Sequence, residues 1–288
     1  MKVITDERCA EYSSPGHPER PQRITRTLAK LKEQKEVAIE WDKPAAVDEL
    51  ILTRAHDPAL IRSVKAAAAD FDGDTPAHKN IYDHALRGVG GALRALAIAR
   101  KGETAFSLLR PPGHHATKSR AMGFCYLSSV AIAALEALSE GVRRVAVYDF
   151  DVHHGNGTGD ILLNHPHAQF TSIHQHPCYP GTGTGHIGDN CRNYPLAPQT
   201  PRKEYRATLE RALEELKRGH PDMIIVSAGF DAYRGDPIAQ ETLEAEDFHW
   251  MGQRLHKSGI PFFSVLEGGY SDDLPELILA YLKGVSGK

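Results

Sequence analysis

The chain has 288 residues, of which 41% are hydrophobic and 25% are charged, a composition typical of a globular protein rather than a disordered or fibrous one. With 34 Lys and Arg residues against 37 Asp and Glu residues, the net charge of −3 gives no general attraction to nucleic acids or anionic membranes. The basic residues are scattered along the chain, so we expect no direct binding to nucleic acids.

The cysteines and the chain start indicate a cellular location. The four cysteines form no Cys-x-x-Cys pair and are expected to be reduced thiols. Residues 1–7 lack the apolar core of a signal peptide, and no apolar run approaches the roughly 20 residues needed to cross a bilayer. The sequence therefore predicts a cytoplasmic protein with no membrane partner, and it specifies no oligomeric state.

In chain order, short apolar runs alternate with longer segments of helical period. The predicted strands are 3–5, 104–108, 145–150, 169–174, 223–228 and 262–266, and the predicted helices are 24–35, 58–69, 81–100, 128–140, 203–218, 245–257 and 274–283. This alternation predicts right-handed βαβ crossovers and one open, mostly parallel sheet flanked by helices, an α/β fold. No repeat or linker interrupts the pattern, so residues 1–288 are expected to form a single domain.

Ionisable residues beside glycines follow four of the predicted strands. The segments are Arg110-Pro-Pro-Gly-His-His-Ala, Asp149-Phe-Asp-Val-His-His-Gly-Asn-Gly, Gly229-Phe-Asp-Ala and Glu267-Gly-Gly-Tyr. In open parallel sheets, ligands bind outside the carboxyl ends of the strands. We therefore expect the functional site to lie at this edge of the sheet.

The second of these segments predicts a metal site. Asp149, Asp151 and His153 stand at alternate positions, so their side chains can converge beyond the strand end. Asp and His suit Zn²⁺ and related divalent ions, and Asp231 is the best candidate for a ligand from another strand. The alternative is a helix-capping turn with passively packed histidines. The separate His114-His115 pair favours the metal.

The other segments supply groups for proton transfer and oxyanion binding. His114 and His115 follow a turn fixed by prolines and glycine, and imidazoles transfer protons near neutral pH. Tyr270 can donate its hydroxyl to an oxyanion. The alternatives are surface-loop histidines and a packed tyrosine. Taken together, these parts predict a metal hydrolase. The remaining histidines, including His17, are interpreted as structural or surface residues.

With Gly123-Phe-Cys, Pro180-Gly-Thr-Gly, Ser227-Ala-Gly-Phe-Asp-Ala and Leu266-Glu-Gly-Gly-Tyr, these motifs resemble the histone deacetylase family, which includes acetylpolyamine amidohydrolases and acetoin-utilisation proteins. His17-Pro-Glu-Arg-Pro-Gln-Arg resembles its opening motif. The resemblance implies an arginase/deacetylase fold with an eight-stranded sheet. It also implies a deacetylase that uses Zn²⁺, or Fe²⁺, on acetylated small molecules such as acetylpolyamines or on acetyl-lysine in proteins.

The resemblance also implies roles for individual residues. The metal ligands would be Asp151, His153 and Asp231. His115 would be the general base, and His114, paired with Asp149, its electrostatic partner. Asn156 would orient the second imidazole, and Tyr270 would polarise the acetyl carbonyl. Asn156, rather than aspartate, resembles the class II branch. The substrate tunnel would be lined by Gly123, Phe124 and Tyr179, with Asp74 at its rim. A structural K⁺ would be held by Asp149, Asp151, His153, Ser172 and Ile173, the last two after the next strand.

One departure from the family pattern and two alternative functions accompany this resemblance. Ser128-Ser129 stands where the family usually has Asn-Asn, and serine is expected to cap the following helix as asparagine does. One alternative is a binuclear manganese ureohydrolase, which needs a doubled ligand set. The other is a non-catalytic domain that binds acyl groups, against which the retained Tyr270 and both histidines argue.

Overall fold

A computed structural model of residues 1–288 contains one sheet of eight strands, all of them parallel. Their order across the sheet is β2-β1-β3-β8-β7-β4-β5-β6. This sheet confirms the predicted fold class. The strands are β1 (Lys2–Ile4), β2 (Glu40–Asp42), β3 (Ala105–Ser107), β4 (Val145–Asp149), β5 (Ala168–Gln175), β6 (Cys191–Leu196), β7 (Met223–Ala228) and β8 (Phe262–Leu266).

Nine α-helices flank the sheet, and a short 3₁₀ helix, Glu7–Ala10, follows β1. None of the helices combines the length and the apolarity that a membrane crossing requires. The helices are α1 (Gln22–Glu33), α2 (Glu49–Leu52), α3 (Pro58–Ala66), α4 (Ile81–Ala99), α5 (Ser129–Ser139), α6 (Asn156–Leu162), α7 (Arg202–Arg218), α8 (Ala245–Lys257) and α9 (Leu274–Val285).

The strands at the centre of the sheet are buried along their whole length. Every residue of β4, β7 and β8 is buried, as expected for parallel strands covered by helices on both faces. A single cluster of 76 buried hydrophobic residues joins these strands to the helices. The loops that follow the strands therefore start from a continuous, close-packed support.

All of the predicted strands and helices are present, with ends that differ by no more than three residues. The sequence does not predict β2, β6, α2 or α6. β2 is only three residues long and largely exposed, so it has no apolar run to reveal it. β6 contains Pro195, which argues against an inner strand, and β6 indeed lies at the edge of the sheet.

The order of the strands brings the predicted site segments together. β3, β8, β7 and β4 are consecutive neighbours in the sheet, and each is followed by one of the four segments rich in ionisable residues. The strands are parallel, so all four segments leave the sheet at the same edge. Residues as distant in sequence as His114 and Tyr270 are thereby placed at one end of the molecule.

Candidate active site

Three buried side chains form a compact group of metal-binding type. The ligand atoms of Asp151, His153 and Asp231 all lie within 4.8 Å of one another. Nδ1 of His153 is 3.2 Å from Oδ1 of Asp151 and 3.2 Å from Oδ2 of Asp231. Both aspartates are fully buried, and neither carboxylate has a lysine or arginine within salt-bridge distance. Apart from the imidazoles beside them, these two carboxylates have no cationic side chain to compensate their charge, a situation that favours a bound metal ion.

Glycines allow the backbone to approach these carboxylates closely. A Cβ atom on Gly268 would lie 2.0 Å from Oδ2 of Asp231 and 2.5 Å from Oδ2 of Asp151. Instead, the backbone N–H of Gly268 donates a hydrogen bond of 2.7 Å to Oδ2 of Asp151. On the other side, the N–H of Val152 donates to Oδ1 of Asp231 at 2.9 Å. The backbone therefore fixes the direction of both carboxylates.

The two adjacent histidines have different hydrogen-bond partners. Nδ1 of His114 is 3.1 Å from Oδ2 of Asp149, and Nδ1 of His115 is 2.7 Å from Oδ1 of Asn156. Because an amide oxygen only accepts hydrogen bonds, Nδ1 of His115 carries the proton and Nε2 keeps its lone pair. The rings lie 4.0 Å apart between centroids. These contacts are the ones that the resemblance implies for the two histidines.

The surroundings of the histidines move their pKa values in opposite directions. Burial alone would lower the pKa of His114, but the carboxylates of Asp151 and Asp149 outweigh it and raise this pKa to about 10. Burial, reinforced by the charge of His114, holds the pKa of His115 well below its usual range. In this arrangement His114 is the cation of the pair and His115 is the neutral base.

A pocket of about 350 Å³ opens beside the metal-type group, within the size range of small-molecule sites. His153, His115 and Tyr270 line its floor and walls, together with the predicted tunnel residues Gly123, Phe124 and Tyr179 and the predicted rim residue Asp74. Tyr270 packs edge-on against Phe124, with ring centroids 5.7 Å apart. Burial raises the pKa of Tyr270 well above its usual value, so its hydroxyl stays protonated and can donate a hydrogen bond.

Two backbone features shape the pocket wall. Gly123 has φ +57°, and a Cβ atom there would meet both the ring of His115 at 2.6 Å and that of Tyr179 at 2.8 Å. The next residue, Phe124, has φ +68°, an unfavourable conformation for a bulky side chain that concentrates at functional sites. Its backbone N–H is held by the hydroxyl of Thr75 at 3.1 Å. The wall is thus held in a conformation that local preference alone would not select.

Several residues around the pocket escape sequence reasoning. His17, interpreted as structural or surface, lines the pocket and packs against Phe124 with centroids 4.6 Å apart. Cys178 and Ile238 also line it. Glu267 is fully buried and accepts hydrogen bonds from the backbone N–H groups that lead into the histidine pair, at 2.6 and 3.1 Å. The Leu266-Glu-Gly-Gly-Tyr motif includes this glutamate. The sequence does not show that its side chain reaches the histidine pair, because that depends on which strands are neighbours in the sheet.

The remaining predicted positions are placed as follows. Ser172 and Ile173 lie inside β5 rather than after it, and Ser172 is the register partner of Asp149. The expected serine cap is wrong: Ser128 precedes α5, but its hydroxyl makes no cap hydrogen bond. Its backbone N–H donates to Nε2 of His56 at 2.9 Å. The residue that precedes α5 is therefore held through its backbone by a buried imidazole.

The comparisons with known proteins agree with this geometry. A model of the histone deacetylase domain matches residues 17–284, and the chain belongs to the histone deacetylase family. It is 36% identical to a probable deacetylase of Methanothermobacter thermautotrophicus, a match that covers 100% of this chain and 91% of the relative. Among solved structures, the HD domain of HDA15 has a TM-score of 0.93 at 29% identity, covering 100% of this chain and 91% of that one. Acetylpolyamine aminohydrolase from Burkholderia pseudomallei has a TM-score of 0.91 at 27% identity, covering 99% of this chain and 98% of that one.

Proposed function

We propose that the protein is a metal-dependent amidohydrolase that removes acetyl or related acyl groups from N-acylated amines. The observation that carries this proposal is the convergence of a metal-type group, a histidine pair and Tyr270 on one pocket. Membership of the histone deacetylase family supports the same class of reaction. Residues 1–288 would act as a single catalytic domain.

Asp151, His153 and Asp231 would hold the ion. Two carboxylates and one imidazole suit Zn²⁺, with Fe²⁺ as an alternative, and leave coordination positions for substrate. When bound, such an ion polarises an acyl carbonyl and lowers the pKa of water. The described chain has one cluster of this type rather than the doubled set that a binuclear ureohydrolase needs, which favours a single ion. A structural K⁺ near Asp149, Asp151, His153, Ser172 and Ile173 remains a prediction.

The histidine pair would move the protons. His115 lines the pocket, and its Nε2 keeps a free lone pair because Asn156 fixes the proton on Nδ1. His115 would take a proton from water as it attacks and give it to the departing amine. His114, hydrogen-bonded to Asp149, would stabilise the negative charge that develops during the attack.

Tyr270 would donate its hydroxyl to the oxygen of the acyl group. Tyr270 lines the same pocket as His115 and His153, so the carbonyl of one bound acyl group would lie near all three side chains. Removal of one such donor typically costs about 100- to 1,000-fold in kcat. This makes Tyr270 the most informative single position for a test of catalysis.

The substrate would be an acetylated amine with a slender, extended attachment. Phe124 and Tyr179 stand on the pocket walls, and His115 packs edge-on against Tyr179 with centroids 5.0 Å apart. Apolar walls of this kind suit the methylene chain of acetyl-lysine or of an acetylpolyamine. Asp74 at the rim would attract a second ammonium group. The likeness to an acetylpolyamine aminohydrolase favours small substrates.

An activity panel on protein of measured metal content tests the proposal. The panel compares an acetyl-lysine peptide, acetylspermidine and longer acyl-lysines for the parent, for Tyr270→Phe and for Asp231→Asn. We expect turnover of at least one acetylated amine by the parent, its near loss in Tyr270→Phe with metal retained, and loss of both metal and turnover in Asp231→Asn. A metal-loaded parent that hydrolyses no acyl amine would refute the proposal and favour the acyl-binding alternative.

A further inference from the structure

Two charged side chains hold the opposite poles of the peptide bond that leads into Tyr270. Nε of Arg23 donates a hydrogen bond of 2.7 Å to the carbonyl oxygen of Gly269. Oδ2 of Asp236 accepts a hydrogen bond of 2.7 Å from the N–H of Tyr270. The carbonyl and the N–H belong to the same peptide unit. Arg23 thus hydrogen-bonds to one side of this unit and Asp236 to the other.

The turn before Tyr270 has no side chains of its own to hold it in place. It consists of Gly268 and Gly269, and the first cannot carry a Cβ atom because of the carboxylates beside it. Gly269 has φ +116°, a conformation that other residues rarely adopt. Such a turn has wide backbone freedom unless other groups restrain it. The direction of Tyr270 therefore depends on contacts from outside the turn.

Asp236 also holds a second backbone group of the pocket lining. Its second oxygen, Oδ1, accepts a hydrogen bond of 3.1 Å from the N–H of Ile238, which lines the pocket together with Tyr270. Asp236 is only 7% exposed, and no lysine or arginine lies within salt-bridge distance of it. Burying a carboxylate without a cation is costly. The carboxylate instead accepts hydrogen bonds from the backbone N–H groups of two pocket residues, and it therefore restrains the backbone at both positions.

We propose that Asp236 is a positioning residue that sets the direction of the Tyr270 hydroxyl and fixes the Ile238 wall. The expected effect of Asp236 on catalysis rests on the proposed function. The restraint of the Tyr270 and Ile238 backbone by Asp236 does not depend on that function. An asparagine at this position has one acceptor oxygen and one donor NH₂ group. It can therefore serve only one of the two N–H groups, and the other meets a donor.

The first experiment measures the restraint without any activity assay. Amide hydrogen exchange is compared for the parent, Asp236→Asn, Asp236→Ala and the control Asp222→Asn. Asp222 also accepts a backbone N–H, from Arg144 at 2.9 Å, but it lies at the opposite end of the sheet. We expect faster exchange at both Tyr270 and Ile238 in Asp236→Ala, at one of the two or at both in Asp236→Asn, and unchanged exchange at both in the control. Unchanged exchange in the Asp236 variants would overturn the proposal.

The second experiment asks whether Asp236 acts through Tyr270. We expect Asp236→Asn to lower kcat by about 10- to 100-fold, with a smaller change in KM. The Tyr270 hydroxyl would stabilise mainly the transition state, so its displacement would affect kcat more than substrate binding. In a Tyr270→Phe background the same substitution should cost little more, since the group that it positions is already absent. An equal loss in both backgrounds would show a general structural role and would refute the positioning role.

The two experiments separate this proposal from the proposed function. A parent with no amidohydrolase activity would refute the function, while the hydrogen-exchange result would still decide whether Asp236 restrains Tyr270. An active parent with unchanged exchange in Asp236→Asn would refute only the positioning role. If Asp236→Ala does not fold, Asp236→Asn, which keeps the volume of the side chain, provides the same readout.

Discussion

Replacement of Gly268 by alanine places a methyl group between the two carboxylates of the proposed metal site. Its Cβ would lie 2.0 Å from Oδ2 of Asp231, and this oxygen would have to retreat by about 1.4 Å to reach 3.4 Å, where ordinary van der Waals contact begins. Metal–ligand distances tolerate errors of only about 0.2 Å. We therefore expect Gly268→Ala to weaken zinc binding by about 100-fold or more.

Competition with a fluorescent zinc chelator measures this affinity, and thermal denaturation of the metal-free protein checks that the variant folds. Gly185→Ala is the matched control, because no atom lies within 4 Å of a Cβ built on Gly185. The control should bind zinc as the parent does. If Gly268→Ala folded and bound zinc with the parent's affinity, Asp151 and Asp231 would not be the ligands. Should the variant fail to fold, Asp231→Asn supplies the same readout.

Three further predictions concern catalysis and stability. Asn156→Ala should lower kcat by about 10-fold or more, because Nδ1 of His115 loses its acceptor and the other tautomer of the imidazole becomes accessible. Steady-state kinetics, with metal content measured in parallel, would show this loss. Arg110→Met should destabilise the fold by about 3 kcal/mol or more in urea denaturation, since it leaves Glu19 buried without its bidentate partner. Burial opposes ionisation of Glu19, but Arg110 outweighs it and holds the pKa at about 2, below the usual 4.5. The stability from this pair is therefore complete above pH 4.5 and is lost as the pH falls towards 2, and Glu19→Gln should flatten that limb of the stability curve.

The sequence predicts the site because its chemistry is concentrated at strand ends. Asp151 and His153 are two positions apart in the loop that follows β4, so they lie close together without help from the rest of the fold. Asp231 is 80 positions beyond Asp151, and it could be assigned because ligands collect at the carboxyl edge of parallel sheets. The sequence does not specify that β7 lies directly beside β4, and this neighbourhood brings the carboxylates within reach.

What the sequence leaves undetermined are the groups that hold the site from behind. Arg23 and Glu19 belong to the opening motif, but their partners lie far along the chain: Arg23 binds the carbonyl of Gly269, and Glu19 binds Arg110. Charged residues usually face water, so no local pattern shows that these two face inward. Only their buried partners in the folded chain, the carbonyl of Gly269 and the side chain of Arg110, give them their role.

The arrangement of buried charge explains why so many ionisable groups are tolerated at one edge of the sheet. The carboxylate of Asp151, in the proposed metal site, has no arginine partner; it lies 3.7 Å from Nε2 of His114 and 3.2 Å from Nδ1 of His153. Other buried carboxylates are neutralised by arginine, as Glu19 is by Arg110, or by backbone N–H groups, as Glu267 is. An unpaired carboxylate away from the proposed metal site would cost stability without serving a ligand. The carboxylates of the proposed metal site thus differ from Glu19 in having imidazoles and backbone N–H groups as partners in place of arginine, which leaves them suited to hold a cation.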